Sequence, residues 1–252
     1  MSVRNLPVAI ISLPGLLLFL WPFFGANLPA STPAWALMLA AVGALFLVEA
    51  GTRQLDSRGV ALLAAIAAID TVLRLAVIEG IGGFSPIYFL VLCAGYVFGS
   101  TYGFLVGALS ILVSATVGGG VGPWVPYQVF AVGWVGAVAG LAGRRRSRLP
   151  GWQDLAVLAL VGAVMGWVVG ALLDIQDWVT VYRGNPTLGW EPGLSVATAV
   201  AHVGRFYLVT SLAYDTFRAV GNVIMVLLLG APVLAALSRL QARLTFEVVK
   251  QT

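Results

Sequence analysis

The chain has 252 residues, of which 60% are hydrophobic and 10% charged, and its mean hydropathy is +0.98. A soluble domain carries about 25% charged residues, so this composition excludes an ordinary soluble globule, a disordered chain and a nucleic-acid binder. A single cysteine, Cys93, excludes an intramolecular disulfide, and a single histidine, His202, excludes a Cys/His metal site. The net charge of +4 fits basic cytoplasmic loops better than an anionic partner.

A bilayer core about 30 Å thick is crossed by about 20 apolar residues in helix. Eight segments meet or approach that length: 6–24, 35–51, 60–78, 86–99, 103–117, 125–142, 154–173 and 217–238. The first carries Arg4 ahead of a long apolar stretch. The small-residue site Ala34-Trp35-Ala36 lies too far downstream for signal-peptide cleavage, so a retained helix is expected. In the third span, Ala61, Ala64, Ala65 and Ala68 give overlapping four-residue repeats on one face. Such a face serves either internal packing or the docking of another membrane subunit. Asp70 and Arg74 follow one turn apart, spaced to pair with each other or, for Arg74, to line a pocket.

The fourth and fifth segments are short and nearly continuous, which predicts a tight helical hairpin. Gly95, Gly99, Gly103 and Gly107 recur through it every four residues, as close helix packing in lipid requires. Gly118, Gly119, Gly120 and Gly122 predict a tight turn, since no basic residue follows to hold a phosphate. The sixth span opens with Gly122-Pro123-Trp124-Val125-Pro126-Tyr127-Gln128. Pro126 suits a first helical turn. Trp124 and Gln128 are one turn apart, and Tyr127 and Trp134 share an adjoining face. An amide flanked by indoles suits a flat heteroaromatic ligand, or else forms an aromatic belt with an interhelical glutamine contact.

Arg144-Arg145-Arg146-Ser147-Arg148 cannot easily cross a bilayer. Gly162, Gly166 and Gly170 repeat the four-residue spacing in the seventh span. The connection 174–215 is the longest and carries Asp174, Asp177, Trp178, Tyr182, Arg183 and Trp190. Within it, 195–213 predicts a weaker helix lying on the membrane surface or dipping into it. The last span begins with Asp215, Arg218 and Asn222 on one shared face. Snorkelling accounts for Arg218, but Asn222 sits about a turn deeper, which points to a pocket or interhelical contact.

With the N-terminus inside, the cytoplasmic pieces hold Arg4, Arg53, Arg58, Arg144, Arg145, Arg146, Arg148, Arg239, Arg243 and Lys250, ten of the fourteen basic residues. Glu79, Asp174, Asp177 and Glu191 then fall outside. Both termini are expected in the cytoplasm. No serine elbow, zinc-protease motif or phosphate-binding loop is present, so no catalytic residue, metal site or cofactor is expected.

The run from Gly83-Phe84-Ser85-Pro86 through Gly95-Tyr96-Val97-Phe98-Gly99 and Gly103-Phe104-Leu105-Val106-Gly107 to Trp124-Val125-Pro126-Tyr127-Gln128 resembles the substrate-binding S component of energy-coupling factor (ECF) transporters. The likeness extends more weakly to Asp215, Arg218 and Asn222 in the last helix. The resemblance implies a bacterial cytoplasmic-membrane protein that captures a vitamin or related micronutrient from outside. A transmembrane T component and two cytoplasmic ATPases would drive release, with the S component tilting over in the membrane. It also implies that Ala61, Ala64, Ala65 and Ala68 face the T component.

The expected architecture is all-α, a polytopic transmembrane bundle of about eight spans. It divides into two additional N-terminal helices (1–58), a six-helix S-component-like core (59–243) and a cytoplasmic tail (244–252). A pocket is expected to open outward between 79–85, 118–124 and 174–200. Trp124, Gln128, Asp215, Arg218 and Asn222 would orient the ligand, Arg74, Tyr127 and Trp134 would line its walls, and Trp178 and Tyr182 would cover it. The competing readings are a membrane scaffold without a ligand and, less favoured, an enzyme moving protons through Asp215, His202 or Asp70. Thiamine, its pyrimidine precursor, riboflavin, biotin and cobalamin all remain open as ligands. The acidic outer loops tilt toward a cationic or neutral molecule, and Arg183 and Arg218 soften that tilt.

Overall fold

The structure is a computed structural model describing residues 6–24, 31–51, 56–76, 85–146 and 150–244. Among these the chain is helical throughout: α1 (Leu6–Phe24), α2 (Ser31–Gly51), α3 (Ser57–Ala76), α4 (Ile87–Phe98), α5 (Ser100–Ser114), α6 (Val125–Ala142), α7 (Trp152–Thr180), α8 (Val196–Thr210) and α9 (Leu212–Leu244). A π-helical turn, Ala115–Gly119, prolongs α5, and a 3-10 turn, Gly143–Arg145, ends α6. Among the described residues six helices are long and apolar enough to cross a membrane: α1, α3, α5 with its turn, α6, α7 and α9. The short α4 is almost wholly buried among them. The result is the polytopic helical bundle expected from composition.

The predicted hairpin is tighter than its sequence suggests, because one residue makes it. Gly99, at φ 102°, separates α4 from α5 in a backbone region that glycine enters without a Cβ penalty. The two helices then close on α6 through glycine. A Cβ at Gly95 or Gly103 would run into the Gly136 carbonyl, and one at Gly107 would sit 2.6 Å from the Val132 carbonyl oxygen. Removing side chains lets backbones meet, which is how helices associate when lipid competes for every apolar surface. The α7 stripe works likewise against α9. A Cβ at Gly166 would lie 2.7 Å from the Ala219 Cα, and Gly170 receives the Asp215 carboxylate.

Two expectations are revised. The seventh span does not stop at residue 173: α7 runs on to Thr180, because Trp178 and Val179 continue its buried face beyond Asp174. The long connection therefore shrinks to 181–195, and only Ser211 separates α8 from α9. The loop 181–195 is held from several sides. Trp178 Nε1 donates to the Leu188 carbonyl (2.7 Å), His202 Nδ1 to the Gly189 carbonyl (2.8 Å), and Trp190 Nε1 to the Pro22 carbonyl (3.0 Å).

That last bond reaches α1, far away in sequence. Trp134 Nε1 donates to Ser12 Oγ (2.9 Å) and Trp21 Nε1 to the Tyr127 hydroxyl (3.2 Å). The Phe19 ring meets Tyr127 edge-on at 5.3 Å, and Trp21 meets Trp190 at 5.5 Å. The first helix is thus packed into the bundle through its aromatic side.

Candidate functional site

The chain direction alternates from helix to helix. It brings the C-terminal ends of α3, α5 and α7 together with the N-terminal ends of α4, α6 and α9, beside the 181–195 loop. This loop end holds most of the polar groups singled out in the sequence; the arginines at 144–146 lie at the other. Residues 79–84 of the expected mouth are outside the described residues.

On the α3 side, Arg74 turns away from Asp70. Its guanidinium donates to Ser114 Oγ at the end of α5 and, at 2.9 Å, to Gln128 Oε1 in the first turns of α6. Asp70 stays fully buried, and neither carboxylate oxygen has a hydrogen-bond partner. The expected Asp70–Arg74 contact is therefore an electrostatic neighbourhood without a direct bond. Trp124 sits half-exposed at the start of α6, its ring folded over Gly122. Tyr127 and Trp134 point elsewhere on the same helix, toward α1.

On the α9 side, Asp215 and Arg218 form an ion pair one turn apart, buried against α7. Arg218 also reaches the Gly166 carbonyl at 3.5 Å, and Asn222 Nδ2 donates to the Gly162 carbonyl at 2.9 Å. The glycines of α7 make this possible: with no side chains, they leave room for three polar groups and expose carbonyls to receive them. Asp174 lies close enough to feel the Asp215 and Arg218 charges, with Ser211 beside it. Tyr207, on α8, faces Asp215. Burial, reinforced by that neighbouring carboxylate, pushes its hydroxyl up to about 12. It therefore keeps its proton at neutral pH and stays available as a donor.

Between the two sides, α4 packs against both α6 and α9. What joins them is Tyr88, in the first turn of α4. This buried side chain lies within the electrostatic reach of both Arg74 and Arg218. Sequence reading missed Tyr88, Ser114 and Tyr207. The available signal for Tyr88 was a polar tip in an otherwise apolar first turn. For Ser114 it was the four-residue spacing from Ser110, directed at α3.

The expected covering residues separate. Trp178 is fully buried beneath the loop, in a cluster with Trp190, Val179 and Phe206. Tyr182 is exposed, its ring 4.6 Å from that of Phe206. His202 is held on the loop backbone, and Ser195 caps α8 by accepting from the Thr198 N–H at 3.1 Å. In α3 the buried face carries Leu63, Ile66, Ala67 and Asp70, whereas Ala61, Ala64, Ala65 and Ala68 are all exposed.

Comparison with known proteins bears on the whole arrangement. A family model described as the substrate-specific component of ECF transporters matches residues 59–230. No curated protein and no solved structure matches the chain. The matched segment begins at the start of α3 and ends within α9, so it contains Arg74, Tyr88, Gln128, Asp215 and Arg218, while α1 and α2 precede it. The chain belongs to the family of substrate-specific components of ECF transporters.

Proposed function

We propose that this subunit captures a vitamin-like micronutrient at its loop end, which faces the cell exterior. It then passes the ligand to a transmembrane T component driven by two cytoplasmic ATPases. Family membership makes the chain a transport subunit and implies association with those partners. The observation that supports capture is the polar row Gln128–Arg74, Tyr88 and Arg218–Asp215, buried or half-buried and gathered at one end of an otherwise apolar bundle. Ionisable groups at membrane depth are costly and commonly mark ligand pathways. Trp124 supplies an exposed aromatic surface beside Gln128 for stacking. The excess of arginine at the opposite end supports a cytoplasmic location for that end and for both termini. Uptake of radiolabelled ligand into right-side-out but not inverted vesicles is the expected consequence.

A ligand-free scaffold is the competing reading. It is favoured by the fact that Gln128, Asn222 and Arg218 each already have a protein partner. Thermal-shift and tryptophan-fluorescence titration of the purified chain with thiamine, its pyrimidine precursor, riboflavin, biotin and cobalamin separates the two. One of these is expected to raise the melting temperature and quench fluorescence. Gln128→Ala is expected to weaken that binding by about 1–3 kcal/mol, because it leaves Arg74 and the ligand short of a partner. A flat response to every compound supports the scaffold, and unchanged affinity in Gln128→Ala removes the proposed pocket.

The exposed alanine face of α3 is the proposed seat of the T component. Its small side chains allow close approach of a partner helix. A double substitution, Ala64→Leu with Ala65→Leu, is expected to leave ligand binding by the purified subunit intact. Uptake by the assembled transporter should fall by about tenfold or more. Unaltered uptake would place the docking surface elsewhere.

A further inference from the structure

The charge of the ligand follows from which polar groups at the loop end are already used. Among the described residues, every arginine at this end has its guanidinium on another group of the protein. Arg74 donates to Ser114 and Gln128, and its charge has Asp70 as a neighbour one turn away. Arg183 lies over the Trp190 ring, its Cζ 5.3 Å from the centroid. Arg205 donates to the Thr187 carbonyl at 3.4 Å, and Arg218 pairs with Asp215. The two arginines that soften the acidic tilt of the sequence, Arg183 and Arg218, are thus both committed.

The unused capacity is on the acidic side. Asp174 Oδ2 and Asp215 Oδ2 are buried outside hydrogen-bond distance of a donor, with the Ser211 hydroxyl beside Asp174 and the Tyr207 hydroxyl beside Asp215; among the described residues Arg218 Nε is likewise buried and unpartnered. Asp215 is 1% exposed, so bulk solvent does not reach that oxygen. Two carboxylates share one guanidinium, so with both ionised the α7–α9 corner is negative. A buried acceptor without a donor is unfavourable, and more so when it carries charge. A ligand that brings positive charge together with an N–H donor relieves both the missing donor and the excess charge.

We infer that the captured molecule is a small organic cation, a protonated amine or positively charged nitrogen heterocycle. Its charged group is received by Asp174 and Asp215, and its remaining polar edge is directed past Tyr88 toward Gln128. This inference rests on the capture function proposed above and names the class of ligand for that site. The glycines of α7 fit the assignment. Gly170 lets the Asp215 carboxylate lie against the helix backbone, where a larger residue would push it out of line.

The test is equilibrium binding to the purified full-length chain with five probes of known charge: thiamine and pyridoxamine (cationic), riboflavin (neutral), and biotin and nicotinate (anionic). A cationic probe is expected to bind and the anionic ones not to. Asp174→Asn is expected to weaken that binding by about 30-fold or more, the scale for removing one partner of a buried charge contact. Asp174 is only partly buried, so this variant is the safer one to fold; Asp215→Asn is the second. Binding of biotin, nicotinate or riboflavin with thiamine and pyridoxamine inert overturns the inference while capture itself stands. So does cationic binding that is indifferent to Asp174→Asn. Silence from all five probes removes the capture function and this inference together.

Discussion

Replacing Gly136 with valine is expected to destabilise the bundle by about 3 kcal/mol, the upper end of overpacking costs. The reason is that the obstacle is backbone. A Cβ at position 136 would fall 2.8 Å from the Gly103 Cα and closer still to its carbonyl, and a helix backbone cannot swing aside as a side chain can. The substitution therefore forces α5 and α6 apart along the seam that also seats Gly95 of α4. Thermal unfolding in detergent is the measurement. Gly43→Ala in α2 is the control, because nothing lies within 4 Å of a Cβ there. That change is expected to be neutral or to stabilise by about 0.5–1 kcal/mol through helix propensity. Equal melting temperatures for Gly136→Val and the parent chain would show that glycine contact does not hold the three helices together.

Arg218→Ala is the second large effect. It leaves the Asp215 carboxylate buried between α7 and α9 without its cation, a situation that costs about 3–5 kcal/mol. Replacing both members with apolar residues, Asp215→Leu with Arg218→Met, removes the stranded charge. Such replacements of a buried pair are often neutral for stability. The double variant is therefore expected to recover most of the melting temperature lost in Arg218→Ala, while ligand binding stays abolished. The comparison distinguishes a group retained for folding from one retained for capture. Recovery of binding along with stability in the double variant would show that the pair is only interhelical glue.

The architecture was legible because lipid imposes few choices. Apolar length gave the spans, and the four-residue glycine spacing gave the faces along which they meet. Residues 95, 103, 162, 166 and 170 all lie at helix contacts of the kind that spacing implies. What the pattern could not give was the partner of each polar group. Arg74 is equally well spaced for Asp70 below it, and only the approach of α5 and α6 offers Ser114 and Gln128 instead. Tyr127 and Trp134 share a face with each other, but periodicity does not say which helix meets that face. It is α1, through Ser12, Phe19 and Trp21. The end of α7 was misjudged for a related reason. Asp174 and Asp177 lower hydropathy at the membrane boundary, yet a helix leaving lipid has no cause to stop while Trp178 still finds a buried seat.

Among the described residues three indole hydrogen bonds join α1 to later helices and the 181–195 loop, one in each of the contacts Trp134–Ser12, Trp21–Tyr127 and Trp190–Pro22. The family signature begins only at residue 59. The segment that carries the family match and the segment held together by side-chain contacts are therefore of different length. Cutting the chain at residue 59 would strip the Trp134 and Trp190 indole nitrogens of their hydrogen-bond acceptors and the Tyr127 hydroxyl of its donor, so a fragment limited to the matched segment is expected to be less stable than the whole.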